Sequence, residues 1–306
     1  MISTMQIVSL LPSLTELVCE FGRGDALVGV THECDYPPGV ERLPHLTRSR
    51  IKPGASSAEI DRLVAEQRGS LYELDTDRLA DLRPTLILTQ EQCDVCAVNE
   101  ETVRRSAATL PGAPHVESVN PTDLAGVFAV FRRIGELLGA SVAAENLVGR
   151  FESTAAEIAR RRQGQPAIPT LLLEWTDPPF TAGHWNLEII ALAGGREVLG
   201  QAGQASRRVS WEEVLASQAE VVLVAPCGYT LEQTEAELPA LAARPGWDRL
   251  PAVRRGFVSL IDGSAYFSRP GPRLEESIRI AAAAINPERC GDLAPPTGWR
   301  RLFLTV

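Results

Sequence analysis

The chain has 306 residues, 44% hydrophobic and 23% charged, enough apolar side chain for one large core or two domains of ordinary size. That composition excludes a small disulfide scaffold and a disordered chain. The net charge of −9, with no run of Lys or Arg, argues against a polyanion, so no nucleic-acid partner is expected.

Short β-branched apolar runs alternate with amphipathic stretches along the chain, which predicts an α/β protein with mostly parallel strands. Strands are expected at Gln6 to Leu10, Leu27 to Thr31, Leu86 to Leu88 and around Val116. Pro12-Ser13-Leu14-Thr15-Glu16 opens a helix in which Ser13 can cap and Glu16 sits three residues on; Gly22 ends it. A second helix covers Asp75 to Leu82, halted before Pro84, and a third starts at Pro121-Thr122-Asp123 and runs to Gly139. Ser141 to Arg162 comes next, with Leu147, Phe151, Ala155 and Ile158 on one stripe; at 1.5 Å per residue it spans about 33 Å, long enough to join two lobes. The rhythm then restarts with strands at Thr170 to Glu174, Val221 to Ala225 and Phe257 to Ile261, and helices at Asn186 to Ala193, Trp211 to Ala216 and Pro272 to Ala284. The predicted division is an N-terminal lobe over 1–120, connecting helices over 121–165, a C-terminal lobe over 166–285 and a tail over 286–306, the tail either wrapped or frayed.

Ile7 to Leu11 is cut off by Pro12, too short for the apolar core of an export signal, and no segment reaches the roughly 18 apolar residues of a membrane span. Read from Met1, the chain is expected in the cytoplasm without membrane insertion, its six cysteines thiols or metal ligands. A signal upstream of this start would instead make it periplasmic or membrane-associated.

In open parallel sheets ligands bind beyond the carboxyl ends of the strands, so the residues just after each strand carry the functional signal. Ser13 stands at a helix N-terminus able to accept an anion, and Tyr36 follows the second strand. In the second half the same places hold Trp175, Phe180 and Trp185, then Tyr229, then Tyr266, Phe267 and Arg269. Aromatics form only 6% of the chain, so their concentration in these loops predicts a flat, largely apolar ligand held between two lobes, with Arg269 for a carboxylate, phosphate or amide side group. His32, Cys34, Cys93, Cys96 and Cys227 also come after strands, and thiolate with imidazole suits a soft metal such as zinc. Taken singly, each aromatic could equally cap the core, each cysteine could be a small buried residue, and Asp77 and Glu212 could be dipole-favouring surface charges. No G-x-S-x-G, Walker A loop or G-x-G-x-x-G after a strand is present, so no catalytic residue is assigned.

Several collinear runs carry a resemblance. Ile7-Val8-Ser9-Leu10-Leu11-Pro12-Ser13-Leu14-Thr15-Glu16, Cys34-Asp35-Tyr36-Pro37-Pro38 and Leu82-Arg83-Pro84-Thr85-Leu86-Ile87-Leu88 lie in the first half. Pro178-Pro179-Phe180-Thr181-Ala182-Gly183, Val209-Ser210-Trp211-Glu212-Glu213-Val214-Leu215 and Phe267-Ser268-Arg269-Pro270-Gly271-Pro272-Arg273 lie in the second. Together they resemble the substrate-binding proteins of ABC importers for cobalamin, haem and ferric siderophores, nearest to the cobalamin binders, over about residues 6 to 285. The resemblance implies two Rossmann-like lobes joined by one long rigid helix, with a cobalamin-like or other metal-chelate ligand in the cleft and no cofactor required. It places Tyr36, Phe180, Tyr266, Phe267 and Arg269 along that cleft, and Asp77 and Glu212 as acidic contacts for arginines of an ABC permease. Ala265 stands where the cobalamin-binding relatives have an aspartate, and the N-lobe cleft tryptophans give way to Gln90 and Glu91. The expected function is non-catalytic binding of such a chelate, in a cytoplasmic variant; the alternative is a metal-handling protein or enzyme using the cleft cysteines and His32.

Overall fold

The computed structural model describes residues 5–52, 54–66, 71–90 and 100–302. The chain divides into two compact units, one gathering residues 1–55, 62–121 and 128–147, the other 56–61, 122–127 and 148–306.

In chain order the first half carries β1 (Ile7–Ser9), α1 (Pro12–Glu20), β2 (Leu27–Gly29), β3 (Thr47–Ser49), α2 (Ser57–Glu66), β4 (Tyr72–Leu74), α3 (Thr76–Leu82), β5 (Leu86–Gln90), α4 (Glu100–Thr109), β6 (His115–Val119), α5 (Leu124–Leu137) and α6 (Ser141–Arg161). The first unit is built on a parallel four-stranded sheet in the order β2-β1-β5-β6, with β3 and β4 forming a separate antiparallel pair. Val8 and Leu10, together with Ile87, face Leu46, Leu79, Val103 and Ala107 in one buried cluster, which puts α3 and α4 on that face of the sheet. The C-terminus of α1 closes as expected: Gly22 N–H donates to the Cys19 carbonyl and Arg23 N–H to the Val18 carbonyl, the paired bonds of a Schellman ending. Its N-terminus does not close as expected. Leu11 is the cap residue, without a side-chain bond, and Pro12 takes the first helical position, which its fixed φ favours. Ser13 is thereby drawn inside the helix, 1% exposed, and its hydroxyl caps nothing.

The second half carries β7 (Ile168–Thr176), β8 (Pro179–Thr181), α7 (Asn186–Leu192), β9 (Gly195–Glu197), α8 (Trp211–Ala216), β10 (Val221–Val224), α9 (Leu231–Ala242), α10 (Pro251–Arg254), β11 (Val258–Ile261), α11 (Leu274–Ile285), α12 (Pro287–Cys290) and β12 (Trp299–Leu302). The sheet of the second unit runs β12-β11-β10-β7-β8, with β9 also paired to β7. β7, β9, β10 and β11 are parallel and β8 and β12 join antiparallel, in keeping with the mostly parallel pattern expected. Leu171, Leu173, Val222, Val224, Val258 and Leu260 pack on one face against Val214, Leu241, Trp247 and Leu250. The alternate residues Leu172 and Leu223 are fully buried too, which is why these strands read as unbroken apolar runs. As far as Leu302 the tail is wrapped rather than frayed: Val258 pairs with Leu302 and Ile261 with Trp299, and Arg301 donates from Nη2 to the Ala283 and Ala284 carbonyls near the end of α11.

Candidate functional site: the strand-end loops of the second unit

The end of β7 and the loops that follow β8, β10 and β11 are tied to one another by backbone and side-chain hydrogen bonds. Cys227 N–H donates to the Glu174 carbonyl at 2.9 Å, joining the loop after β10 to the end of β7. Ser264 N–H donates to the Tyr229 carbonyl at 2.9 Å, joining the loop after β11 to the loop after β10. The Trp185 indole N–H donates to the Phe267 carbonyl at 2.9 Å and completes the set. Trp175 meets Tyr229 edge to face, ring centroids 5.2 Å apart, while Arg269 Nη2 donates to Ser264 Oγ at 3.0 Å.

Within this cluster burial separates two kinds of side chain. Phe267 is fully buried, and Trp185 and Tyr229 are each 6% exposed, so these three present little ring surface. Trp175, Phe180 and Tyr266 are half-buried, and each keeps accessible ring surface. Arg208, itself bound to Asp61 at 2.8 Å, lies over the Phe180 ring at 5.8 Å. Arg273 lies over Tyr266 at 5.9 Å. Arg269 is 8% exposed.

Sequence reasoning missed the acid that organises these loops. Glu174 Oε1 accepts from Gly183 N–H at 2.9 Å and Asn186 Nδ2 at 2.8 Å. Burial pushes its pKa up to about 7, outweighing the lowering effect of Asn186, Gly183 and Ser206, and the nearby Glu197 adds to the rise. Burial raises Glu197 as well, although its carboxylate accepts from the backbone of Leu199 and Gly200. A charged residue ending the apolar run Leu171-Leu172-Leu173 was the available signal. Gly183 is needed where it stands, because a Cβ there would collide with the Ser206 nitrogen. Burial lowers the pKa of His184, whose ring stacks on Trp185 at 5.6 Å.

A second group, buried Ser57 and Thr176 with partly buried Glu237, sits beside Trp175. Ser57 Oγ donates to Glu237 Oε2 at 2.5 Å, and Thr176 Oγ1 donates to the same oxygen at 2.6 Å. Arg244 holds Asp177 at 2.8 Å and the Thr176 carbonyl at 3.1 Å. Thr176, Asp177, Glu237 and Arg244, with Ala240 and Leu241, line a cavity of 230 Å³, smaller than the about 300–1,000 Å³ of ordinary ligand pockets and too small for a macrocycle.

In the first unit, Tyr36 is 43% exposed. His32 Nδ1 is 2.7 Å from Thr47 Oγ1, its ring lies 5.3 Å from that of Tyr72, and burial lowers its pKa. Cys34 is 2% exposed, its sulfur 3.1 Å from Thr15 Oγ1 and 3.2 Å from Thr31 Oγ1, a thiol among hydroxyls. Cys227 is exposed on the second unit, and Cys93 and Cys96 lie outside the described residues. Among the described residues no three His, Cys, Asp or Glu side chains gather as metal ligands, so the soft-metal site has no support there. Asp77 and Glu212 are exposed in the first turns of α3 and α8; Asp75 caps α3 and Ser210 with Glu213 forms a capping box on α8. No helix among the described residues is long and apolar enough to cross a membrane.

A family model for periplasmic binding proteins matches residues 7–265 of the chain. The uncharacterized ABC transporter substrate-binding lipoprotein YvrC of Bacillus subtilis is 24% identical over 288 residues, covering 92% of this chain and 80% of that protein. The vitamin B12-binding protein of Yersinia pestis is 24% identical over 250 residues, 79% of each chain. Among solved structures, the periplasmic heme-binding protein RhuT from Roseiflexus sp. RS-1 superposes with a TM-score of 0.69 at 26% identity, covering 93% of this chain and 99% of that one.

Proposed function

Because the chain belongs to the periplasmic binding protein family, and is thus a binding protein and not an enzyme, we propose that it captures a small metal chelate of the cobalamin or haem class and hands it to an ABC permease. The observation that carries this reading is the interlocking of the three strand-end loops of the second unit, which holds Trp175, Phe180 and Tyr266 on a fixed base with Arg269 among them. Half-buried rings suit the apolar face of a planar chelate, and a largely buried guanidinium suits one of its polar side groups. Trp185, Tyr229 and Phe267 serve that surface from behind. On the first unit Tyr36 is exposed and stays a proposed ligand contact, whereas Ser13, 1% exposed within α1, drops out of the proposal. Asp77 and Glu212, exposed at helix starts, are its docking residues for permease arginines. YvrC is by name a lipoprotein and RhuT a periplasmic protein, so the importer role is preferred to a cytosolic store.

Titration of the purified protein with cyanocobalamin and with haemin, monitored by absorbance, tests the reading. A saturable one-to-one spectral change is expected with at least one of them, weakened by Tyr266→Ala and by Arg269→Ala. No change with either at micromolar protein overturns the ligand class.

A further inference from the structure

The tail that carries β12 meets Tyr266 of the candidate ligand surface at Gly298. Its φ is +82°, and a Cβ built on it would fall 2.6 Å from Tyr266 Cε2, 3.0 Å from the phenol oxygen and 3.2 Å from Cζ. The Tyr266 ring therefore rests against bare backbone, which only glycine supplies in this conformation. The same residue holds the loop: Asp262 N–H donates to the Gly298 carbonyl at 2.9 Å, Asp262 Oδ1 accepts from Ala265 N–H at 2.7 Å, and Tyr266 N–H donates to the Asp262 carbonyl at 3.1 Å. Gly298 is itself held by β12 on its C-terminal side. Trp299 pairs with Ile261 in the ladder, its indole N–H donates to the Pro295 carbonyl at 3.0 Å, and Arg300 pairs with Glu235 at 3.0 Å. Gly298 and β12 lie past residue 265, where the family model stops.

We infer that Gly298 is a positioning residue: the C-terminal strand is a backstop that sets where the Tyr266 ring stands, and through it the affinity of the ligand surface. The effect on affinity rests on the binding reading above; the effect on the ring does not. A methyl group at 298 has to push the ring or the strand, since the backbone on both sides is held by hydrogen bonds.

Fluorine NMR on protein labelled with 3-fluorotyrosine reads the ring directly, because the chain has only four tyrosines and Tyr266→Phe assigns the fourth signal. Gly298→Ala is expected to move the Tyr266 resonance and leave those of Tyr36, Tyr72 and Tyr229 in place. Gly291→Ala is the control: it lies in the same tail, and its added Cβ would meet nothing within 4 Å, so no signal should move. In titrations with cyanocobalamin and haemin, Gly298→Ala should raise Kd about two- to tenfold, the range of one aromatic contact. In a Tyr266→Ala background the same change should raise it no further. An unmoved Tyr266 signal, or an equal loss of affinity with and without the ring, overturns the inference. A moved signal in a protein that binds neither probe upholds the backstop and removes the ligand reading alone.

Discussion

Trp185 and Phe267 are joined by a single buried hydrogen bond, indole N–H to backbone carbonyl at 2.9 Å, across 82 residues of sequence. It ties the loop after β8 to the loop after β11 at a phenylalanine whose φ is +54°, a conformation that residues other than glycine rarely adopt. Trp185→Phe keeps the ring contact but strands a buried carbonyl. A loss of about 1–3 kcal/mol is expected in urea unfolding, with an unchanged m-value. A midpoint equal to the parent's would show that the bond does not support the loop.

The raised pKa of Glu174 makes stability depend on pH in a defined direction. Its folded-state value is about 7 against an ordinary 4.5, so the native protein retains a proton that the unfolded chain has already lost. The resulting stabilisation is full below pH 4.5, declines as pH rises, and is gone above 7; its ceiling is about 3 kcal/mol. Glu174→Gln keeps an acceptor for Gly183 and Asn186 and removes the titration. Unfolding free energies of the two proteins, measured from about pH 5 to 8, should converge at the acidic end and separate in favour of glutamine at the basic end. Parallel curves would sink this account.

Gly183→Ala tests how tightly the loop over Glu174 is closed. The new methyl would collide with the Ser206 nitrogen and lie 2.7 Å from the Ala205 carbonyl carbon, both backbone atoms with little room to yield. The expected cost is about 1–3 kcal/mol, with a weaker response in the chelate titrations. A variant with parental melting temperature and affinity would mean that the 199–208 segment shifts freely.

Glu237 collects two hydroxyl donors on one oxygen. Removing it with Glu237→Ala leaves Ser57 Oγ and Thr176 Oγ1 without that acceptor, at an expected cost of about 1.5–3 kcal/mol by thermal or urea unfolding. Glu237→Gln, which keeps an acceptor oxygen, should recover more than half of the loss. If glutamine fares no better than alanine, packing rather than hydrogen bonding is the source.

Much of this architecture was legible because strands such as Leu171–Leu173 and Val221–Val224 are buried on both faces, so a run of apolar residues suffices to mark them. Strands β3, β4, β8, β9 and β12 escaped because they are short and carry polar residues; β12 has two arginines in four positions. The helix α9 did bear a readable start, the Thr230 to Gln233 capping box, obscured by Pro239 within its length. Ser13 misled because a capping residue beside a proline offers two competing starts, and the geometry of the ring chose Pro12. In the candidate site, the clustering of aromatics at strand ends pointed to these loops, yet could not separate buried rings from accessible ones. That distinction depends on partners such as Phe267 for Trp185, set by packing far along the chain. Glu174 stood out only as a charge ending an apolar run; its role was hidden for the same reason, since its donors come from residues 183 and 186 and, through Ser206, from a third segment.

Residues 56–61 belong to the second unit although most of that unit begins at 148. During synthesis Ser57 therefore leaves the ribosome 180 residues before Glu237, the carboxylate it will finally bond. The second unit cannot complete its own interior until translation is well advanced, and a gene fragment starting at codon 148 would encode a body lacking both this serine and Asp61. Long-range closure of this kind slows folding, so a nascent-chain pause or a truncated message between those two points leaves the early segment waiting without its acceptor.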